Sequence, residues 1–395
     1  MAGVFGQILK LVVISLVVVH CSTSVDDDAE PDDWFFVQSD QQQSLLPVKE
    51  LLKQSPTFDE QLFTRLLTRN SESDHRKIDV LFLSDINRLL SSLEADFPEM
   101  IQIKSIGQSY EKRPINVAVV DAREHLVKTQ FSESMTGEDK LKLLSLAQSD
   151  LKIKFHAKPS ILITGQHHSR ETITSSMVLF SLLKMLHGSL HGSERDMKLL
   201  IQNKYYVIPT VNVDGLAYIE DTFLKTGIVP EKRTNMDIHT TNCNKTRAGV
   251  DLNRNYGYKF GAGSSTSHEC AGDDYRGTAA FSEPETQAMK AFLTEHKDDL
   301  KFVYNFHCAG KQFIIPFNGE MPNKLSQEDP GINAVINELV EEAPFADGTD
   351  VGPSTENIGI VAGGDAGDWI LEHLSIPAAE AEIGSWQDYT PEWLP

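Results

Sequence analysis

Two side chains in the stretch TGQHHSRETIT, which begins at Thr164, could hold a metal ion: His168 and, three residues on, Glu171. Imidazole nitrogen and carboxylate oxygen are both zinc donors, and a catalytic zinc takes three protein ligands and leaves a fourth position for water. A single His-x-x-Glu pair is weak evidence in a chain with 13 histidines, because two polar residues are also ordinary where a strand gives way to a helix. Position adds to it. Ile161, Leu162 and Ile163 form an apolar run that reads as a strand, Gly165 permits a tight exit, and α/β sheets collect ligands at strand ends. A third ligand is still required. A second pair, Glu380 and Glu382 in IPAAEAEIG, shares one face of a strand by its period of two. Either could be a general base, Glu380 could instead be a paired structural carboxylate, and both could belong to a solvated face.

The elements that must position these groups alternate. Strands are predicted from Ile101 (IQIKSIG), Ile115 (INVAVV), Ser160 (SILITG), Tyr205 (YYVIPTVN), Phe302 (FVYNFH) and Ile376 (IPAAEAEI), and helices over 172–187, 284–297, 330–343 and 366–374. An earlier helix opens the globular region, with Ser84 or Asp85 as its cap and Ile86, Leu89, Leu90 and Leu93 on its buried face. After FSEPET, Ser282 and Glu285 have capping-box spacing, Pro284 suits a first turn, and Ala288, Met289, Phe292 and Leu293 supply the buried face. This alternation predicts an α/β sandwich in which helices cover a parallel or mixed sheet. Residues 123–158 interrupt it as a charged surface insertion. No fixed-period repeat, P-loop or G-x-G-x-x-G segment is visible.

At 395 residues and 40% hydrophobic content, the chain can bury one large core and carry appendages. A formal charge of −21 repels polyanions and argues against sequence-independent nucleic-acid binding. Residues 1–24 place Lys10 before a short apolar run, Leu11 to Val19, followed by small residues; this reads as a secretory signal, with an uncleaved anchor as the alternative. No later segment reads as a bilayer span, so a secreted, extracellular protein without stable membrane insertion after signal cleavage is expected. Residues 25–77, with DDDAEPDD and QSDQQQS, form an acidic leader or pro-like segment, and 78–395 the globular domain. In an oxidising compartment Cys243 and Cys270 are expected to pair, closing a Gly- and Ser-rich loop, with Cys308 left as a core thiol. Oligomeric state is not legible.

Several further motifs occur in order: IGQSYEKRPI, TVNVDG, GVDLNRNYGYKFG, YRGTAAFSEPET, YNFHCAGKQFIIPFNG and AGGDAGDW. With TGQHHSRE they closely resemble the zinc carboxypeptidase family of the pancreatic type, from about Leu81 to Gly384. The resemblance implies a three-layer α/β/α sandwich with a mixed, mostly parallel central sheet. It implies one Zn2+ held by His168, Glu171 and His307, with His167 as a flanking residue. Glu382 would be the general base that takes a proton from the attacking water and passes it to the leaving amine. Asn253 and Arg254 would clamp the free carboxylate of a peptide or protein C-terminus, with Arg170 as an auxiliary contact.

The pattern also breaks. Aligning NKTR on the family's arginine-rich run puts Asn244 where an oxyanion-stabilising arginine is expected, and Asn244 opens the sequon NKT. Ile360 falls where the family has a tyrosine over bound substrate. Only residues 383–395 follow Glu382, where the family continues into a final helix, which leaves that helix in doubt. Gly367, a position lining the specificity pocket in the family, carries no charge and leans towards neutral substrates, although nearby Asp365 could reverse that. The expected function is a secreted zinc metallocarboxypeptidase. The alternatives are a catalytically weak or inactive zinc-binding protein and an amidase on the same fold.

Overall fold

The computed structural model describes residues 81–126, 158–190, 193–237, 249–310, 312–320 and 349–384. Within them the chain forms α1 (Leu83–Asp96), β1 (Ile101–Gln108), β2 (Pro114–Val120) and β3 (Ser160–Thr164). It continues through α2 (Thr172–Leu190), α3 (Glu194–Gln202), β4 (Lys204–Ile208), α4 (Val213–Thr226) and α5 (Pro284–Glu295). The last elements are β5 (Leu300–His307), β6 (Gln312–Ile314), β7 (Asp350–Gly352), α6 (Ser354–Asn357), α7 (Ala366–Leu374) and β8 (Ala378–Glu382).

The eight strands make one sheet in the order β1-β2-β4-β3-β5-β8-β6-β7. Four of its pairings are parallel (β4–β3, β3–β5, β5–β8, β6–β7) and the rest antiparallel. Strand β3 is buried at every residue, as a central strand covered on both faces must be. Its alternation still sorts the two cores. Ile161 and Ile163 pack with Leu179, Leu182, Leu186 and the α1 residues Ile86 and Leu90, whereas Leu162 packs with Met289, Phe292, Trp369 and Ile370 on the other face. These two cores are the two interlayer spaces of an α/β/α sandwich. Helix α2 is long and apolar enough to pass for a membrane span by composition, contrary to the sequence reading, but most of it is buried in the first core.

Local signals were overridden where tertiary partners competed. Helix α1 starts earlier than the Ser84 or Asp85 cap implies: Phe82 is its cap residue, and its N–H donates to Asp85 Oδ2 at 3.2 Å, while Ser84 Oγ donates to Glu220 Oε1. The expected Ser282–Glu285 capping box does not form. The Ser282 hydroxyl donates to Glu283 Oε1, and Glu285 accepts the N–H of Tyr110 at 3.0 Å. Three helices, α3, α4 and the short α6, were not expected from the sequence. Asn212, read as the end of a strand, caps α4 by accepting the Gly215 N–H at 3.0 Å, and Ser193 caps α3. Strands β6 and β7, at three residues each, are too short to show a period. The signal, the acidic leader, most of the 123–158 insertion, the 330–343 helix, Cys243 and the residues after Gly384 lie outside the described residues. Cys270 is disulfide-bonded and Cys308 is a buried thiol.

Candidate metal centre and active site

Three adjacent parallel strands, β3, β5 and β8, end at the same edge of the sheet, and each delivers chemistry there. After β3 the chain turns at Gly165, where an added Cβ would lie 3.0 Å from the Pro209 carbonyl and 3.1 Å from the Thr174 carbonyl, so only a glycine fits without displacing backbone. The turn carries His168 and Glu171 to the mouth of α2. His307 is the last residue of β5 and Glu382 the last of β8, and the two are register partners.

Ligand atoms of His168, Glu171 and His307 all lie within 4.8 Å of one another, and all three side chains are buried. Glu171 Oε1 is 2.7 Å from His168 Nδ1, and Oε2 is 3.3 Å from His307 Nδ1 and accepts the Cys308 N–H at 3.1 Å. On the far side of the His168 ring, Nε2 is 3.0 Å from Asp251 Oδ1. An ionised carboxylate only accepts, and both ring nitrogens face one; Asp251 can hold the proton on Nε2, which leaves Nδ1, on the side of Glu171 and His307, as the nitrogen that would ligate an ion. Two imidazoles and a carboxylate, one ring locked by an outer carboxylate, are the donor set of an open zinc site. The residues present therefore fit the ion.

Electrostatics favours keeping these carboxylates ionised. Burial pushes Glu171 up, but His168 and His307 more than reverse that and hold it well below the usual carboxylate range. Asp251 is held low in the same way, against burial, first by Arg233 and then by His168. Glu382, half-buried, is raised, mainly by burial, with Glu171 adding to it and the histidines and Arg233 opposing. Glu380 is pushed up to about 8 by burial and by Asp365.

Asp251 also organises the next residues. It caps the 3-10 turn Leu252–Arg254 by accepting the Asn253 N–H at 2.9 Å, which ties Asn253 and Arg254 to the carboxylate that holds the candidate ligand His168. Both are buried. Asn253 Nδ2 donates to Asp365 Oδ2 at 3.1 Å, and its Oδ1 accepts the Ala366 N–H at 2.9 Å, tying it to the start of α7. The Arg254 guanidinium donates to the Ser265 carbonyl, to Ser265 Oγ at 3.0 Å and to the Asn253 carbonyl at 2.7 Å. Arg170 is drawn aside to Asp273, 3.1 Å away. Gly367 lies in the first turn of α7, next to Glu380. Ile360 follows α6, its backbone paired with Ser354. Asn244 lies outside the described residues. His167 binds the Tyr256 hydroxyl through Nε2 at 3.1 Å and stacks on His307.

Sequence reasoning missed Arg233. Its Nε and Nη2 donate to Asp251 Oδ2, each at 2.9 Å, and Nη1 is 3.7 Å from Glu171 Oε1. It lies in the PEKRTN segment well before VDLNRN, and nothing local distinguishes it from a solvated arginine. Beside it, burial pulls Lys232 down to about 8, and its Nζ donates to Thr234 Oγ1 at 2.7 Å.

The sequence model of the zinc carboxypeptidase family matches residues 86–391. Carboxypeptidase B of Astacus astacus is 26% identical over 289 residues, 72% of this chain and 79% of that protein. Carboxypeptidase B2 of Rattus norvegicus is 25% identical over 297 residues, 73% of this chain but only 59% of that protein. The fold is similar to that of bovine thrombin-activatable fibrinolysis inhibitor, solved in complex with tick carboxypeptidase inhibitor, at a TM-score of 0.54 and 22% identity over 77% of this chain and 86% of that one. It is also similar to carboxypeptidase A from Helicoverpa armigera, at a TM-score of 0.57 and 19% identity over 90% of this chain and 75% of that one.

Proposed function

The chain belongs to the zinc carboxypeptidase family, and on that premise we propose that it is a secreted zinc-dependent exopeptidase that removes the C-terminal residue of peptides or proteins. The observation that carries this reading is the convergence of His168, Glu171 and His307 at the strand edge, with Glu382 one register position away on the neighbouring strand. The disulfide at Cys270 and the apolar stretch Leu11 to Val19 support export.

His168, Glu171 and His307 would hold the ion, which when bound supplies Lewis-acid polarisation of a carbonyl and lowers the pKa of a water. Glu382 is the base. Burial raises its proton affinity above that of a solvated carboxylate, which suits a group that accepts a proton from the attacking water and gives it to the departing amine. Asn253 and Arg254 bind the terminal carboxylate. Arg254 exchanges its neutral acceptors on Ser265 and Asn253 for a charged one, a stronger hydrogen bond. Arg170 lies on the ligand loop as an auxiliary cation. Arg233, between Asp251 and Glu171, brings a guanidinium near the position where negative charge develops on the scissile carbonyl. That role was assigned from sequence to the Asn244 position, and Arg233 is the better supported candidate for it.

Zinc-loaded protein incubated with a peptide and its C-terminally amidated twin should shorten only the free acid. A chelator and Glu382→Gln should each abolish this. Retention of zinc without cleavage of either peptide would instead identify a binding protein, and cleavage of the amidated peptide alone would identify an amidase.

A further inference from the structure

At the edge of the sheet one row of side chains crosses four strands on the face that carries the candidate site. His307 of β5 and Glu382 of β8 are register partners, Gln312 of β6 is the next partner of Glu382, and Asp350 of β7 is that of Gln312. Directly opposite residues of an antiparallel pair such as β6 and β8 project from one face with their Cβ atoms about 4.5–5.5 Å apart. Gln312 therefore stands beside the proposed base, on the side away from the metal ligand. It is the one polar residue of β6, whose other two residues, Phe313 and Ile314, are buried and apolar.

These two neighbours have complementary deficits. Gln312 is half-buried, and its Oε1 is shut away from solvent without a hydrogen-bond partner, a cost of about 1–3 kcal/mol for a buried amide end. Glu382 is half-buried too, and no hydrogen bond among the described residues holds its carboxylate; His307, His168 and Arg233 act on it through their charge. The carboxylates around it are held: Glu171 accepts the Cys308 N–H, and Asp251 accepts from Asn253 and Arg233. Gly310 brings the pair together. A Cβ built there would lie 3.4 Å from Glu382 Cβ, 3.6 Å from Gln312 Nε2 and 3.7 Å from Gln312 Cγ, so both side chains lie over the bare face of one glycine. A carboxamide carries two N–H donors at one end and presents them to either side by a half-turn of its last torsion, while an ionised carboxylate only accepts. Asp350, on the other flank of Gln312, is exposed and has water for its partner, which leaves Glu382 as the acceptor in need of a donor.

Resting on the exopeptidase reading, we propose that Gln312 is a positioning residue for the reaction: its amide donates to one oxygen of the Glu382 carboxylate and so aims the other at the attacking water. A carboxylate at the end of a strand with no donor to fix it samples several rotamers, and a misplacement of about 1 Å can cost on the order of 10² in rate. The amide is neutral, so it restrains Glu382 without adding charge beside the metal ligands. Gly310 serves the same end, because its missing side chain leaves room for the amide to turn.

The test uses the full zinc-loaded chain and a peptide with a free C-terminus that it cleaves. Gln312→Met keeps the length of the side chain and removes the donor, and Gln312→Leu is a second variant without one. Each should lower kcat about 10–100-fold while KM and zinc affinity stay within about twofold. Glu382→Asp draws the carboxylate back by one methylene, out of the amide's reach. In that background Gln312→Met should cost less than about twofold, because coupled residues do not add. Unchanged kcat in both Gln312 variants, or the same loss in the parent and the Glu382→Asp backgrounds, overturns the assignment and leaves the exopeptidase reading standing. Loss of zinc or a lowered Tm in both variants would make Gln312 a structural residue and also overturns it. If the parent chain shortens no free-acid peptide, the exopeptidase reading itself fails, and the assignment falls with it.

Discussion

Asp251 fixes which nitrogen of His168 faces the metal, and it does so while bound to Arg233 and capping the turn that carries Asn253 and Arg254. One buried carboxylate thus couples the orientation of a candidate ligand, the candidate oxyanion guanidinium and the turn carrying the proposed clamp. Asp251→Asn should weaken zinc binding by about 10–100-fold, read by competition with a chromogenic chelator, because an amide can present its NH2 to Nε2 and favour the wrong tautomer. Arg233→Gln should leave zinc content intact and lower kcat by about 10²–10³. Glu382→Gln should also keep its zinc, with turnover reduced by about 10² or more, since an amide cannot shuttle a proton. A loss of zinc in the Glu382 variant would count against its role as base.

At the scale of elements, the site depends on how strand ends and helix starts meet. The Gly165 turn lets the ligand loop pass against the Pro209 and Thr174 carbonyls. Gly165→Ala must push backbone apart and should cost about 1–3 kcal/mol of stability, measured by urea unfolding, with zinc affinity falling in parallel. Helix α5 carries a different liability. Glu285 is fully buried in its first turn, and burial raises its pKa to about 7, with Asp214 and Glu283 adding to the shift. Unfolded, it titrates near pH 4.3. Between those values the folded chain binds the extra proton, so this group's contribution to stability falls as pH rises from about 4.3 to 7 and stays lost above. Glu285→Gln removes that slope. Relative to the parent, the variant should gain about 2–3 kcal/mol between pH 4.5 and pH 8, and an unchanged difference across that range would show that Glu285 titrates normally.

For the whole molecule, zinc should act as a structural ligand as well as a catalytic one. Ligands from the loop after β3 and the end of β5 are joined only in the folded chain, so binding is linked to folding. With free zinc at about 1,000 times the dissociation constant, linkage adds about 4 kcal/mol. Chelation should therefore lower Tm by several degrees, reversibly on adding zinc back, and His307→Ala should remove the difference between chelated and zinc-loaded samples. What the sequence by itself determined was whatever repeats along the chain. Apolar periodicity gave β1 to β5, β8, α1, α2, α5 and α7, and the motif order gave the family and the donor residues, because adjacent residues suffice to encode both. Tertiary structure alone decided the rest. Asn212 became a helix cap, the Ser282–Glu285 capping box gave way as Glu285 turned to Tyr110, Arg233 arrived beside Asp251, and Glu380 met Asp365 beside Gly367. The Asn212 cap is local but competed with a strand reading of the same stretch, whereas the Glu285, Arg233 and Glu380 contacts join residues far apart in sequence, and burial and charge act through space, so no local pattern carries those.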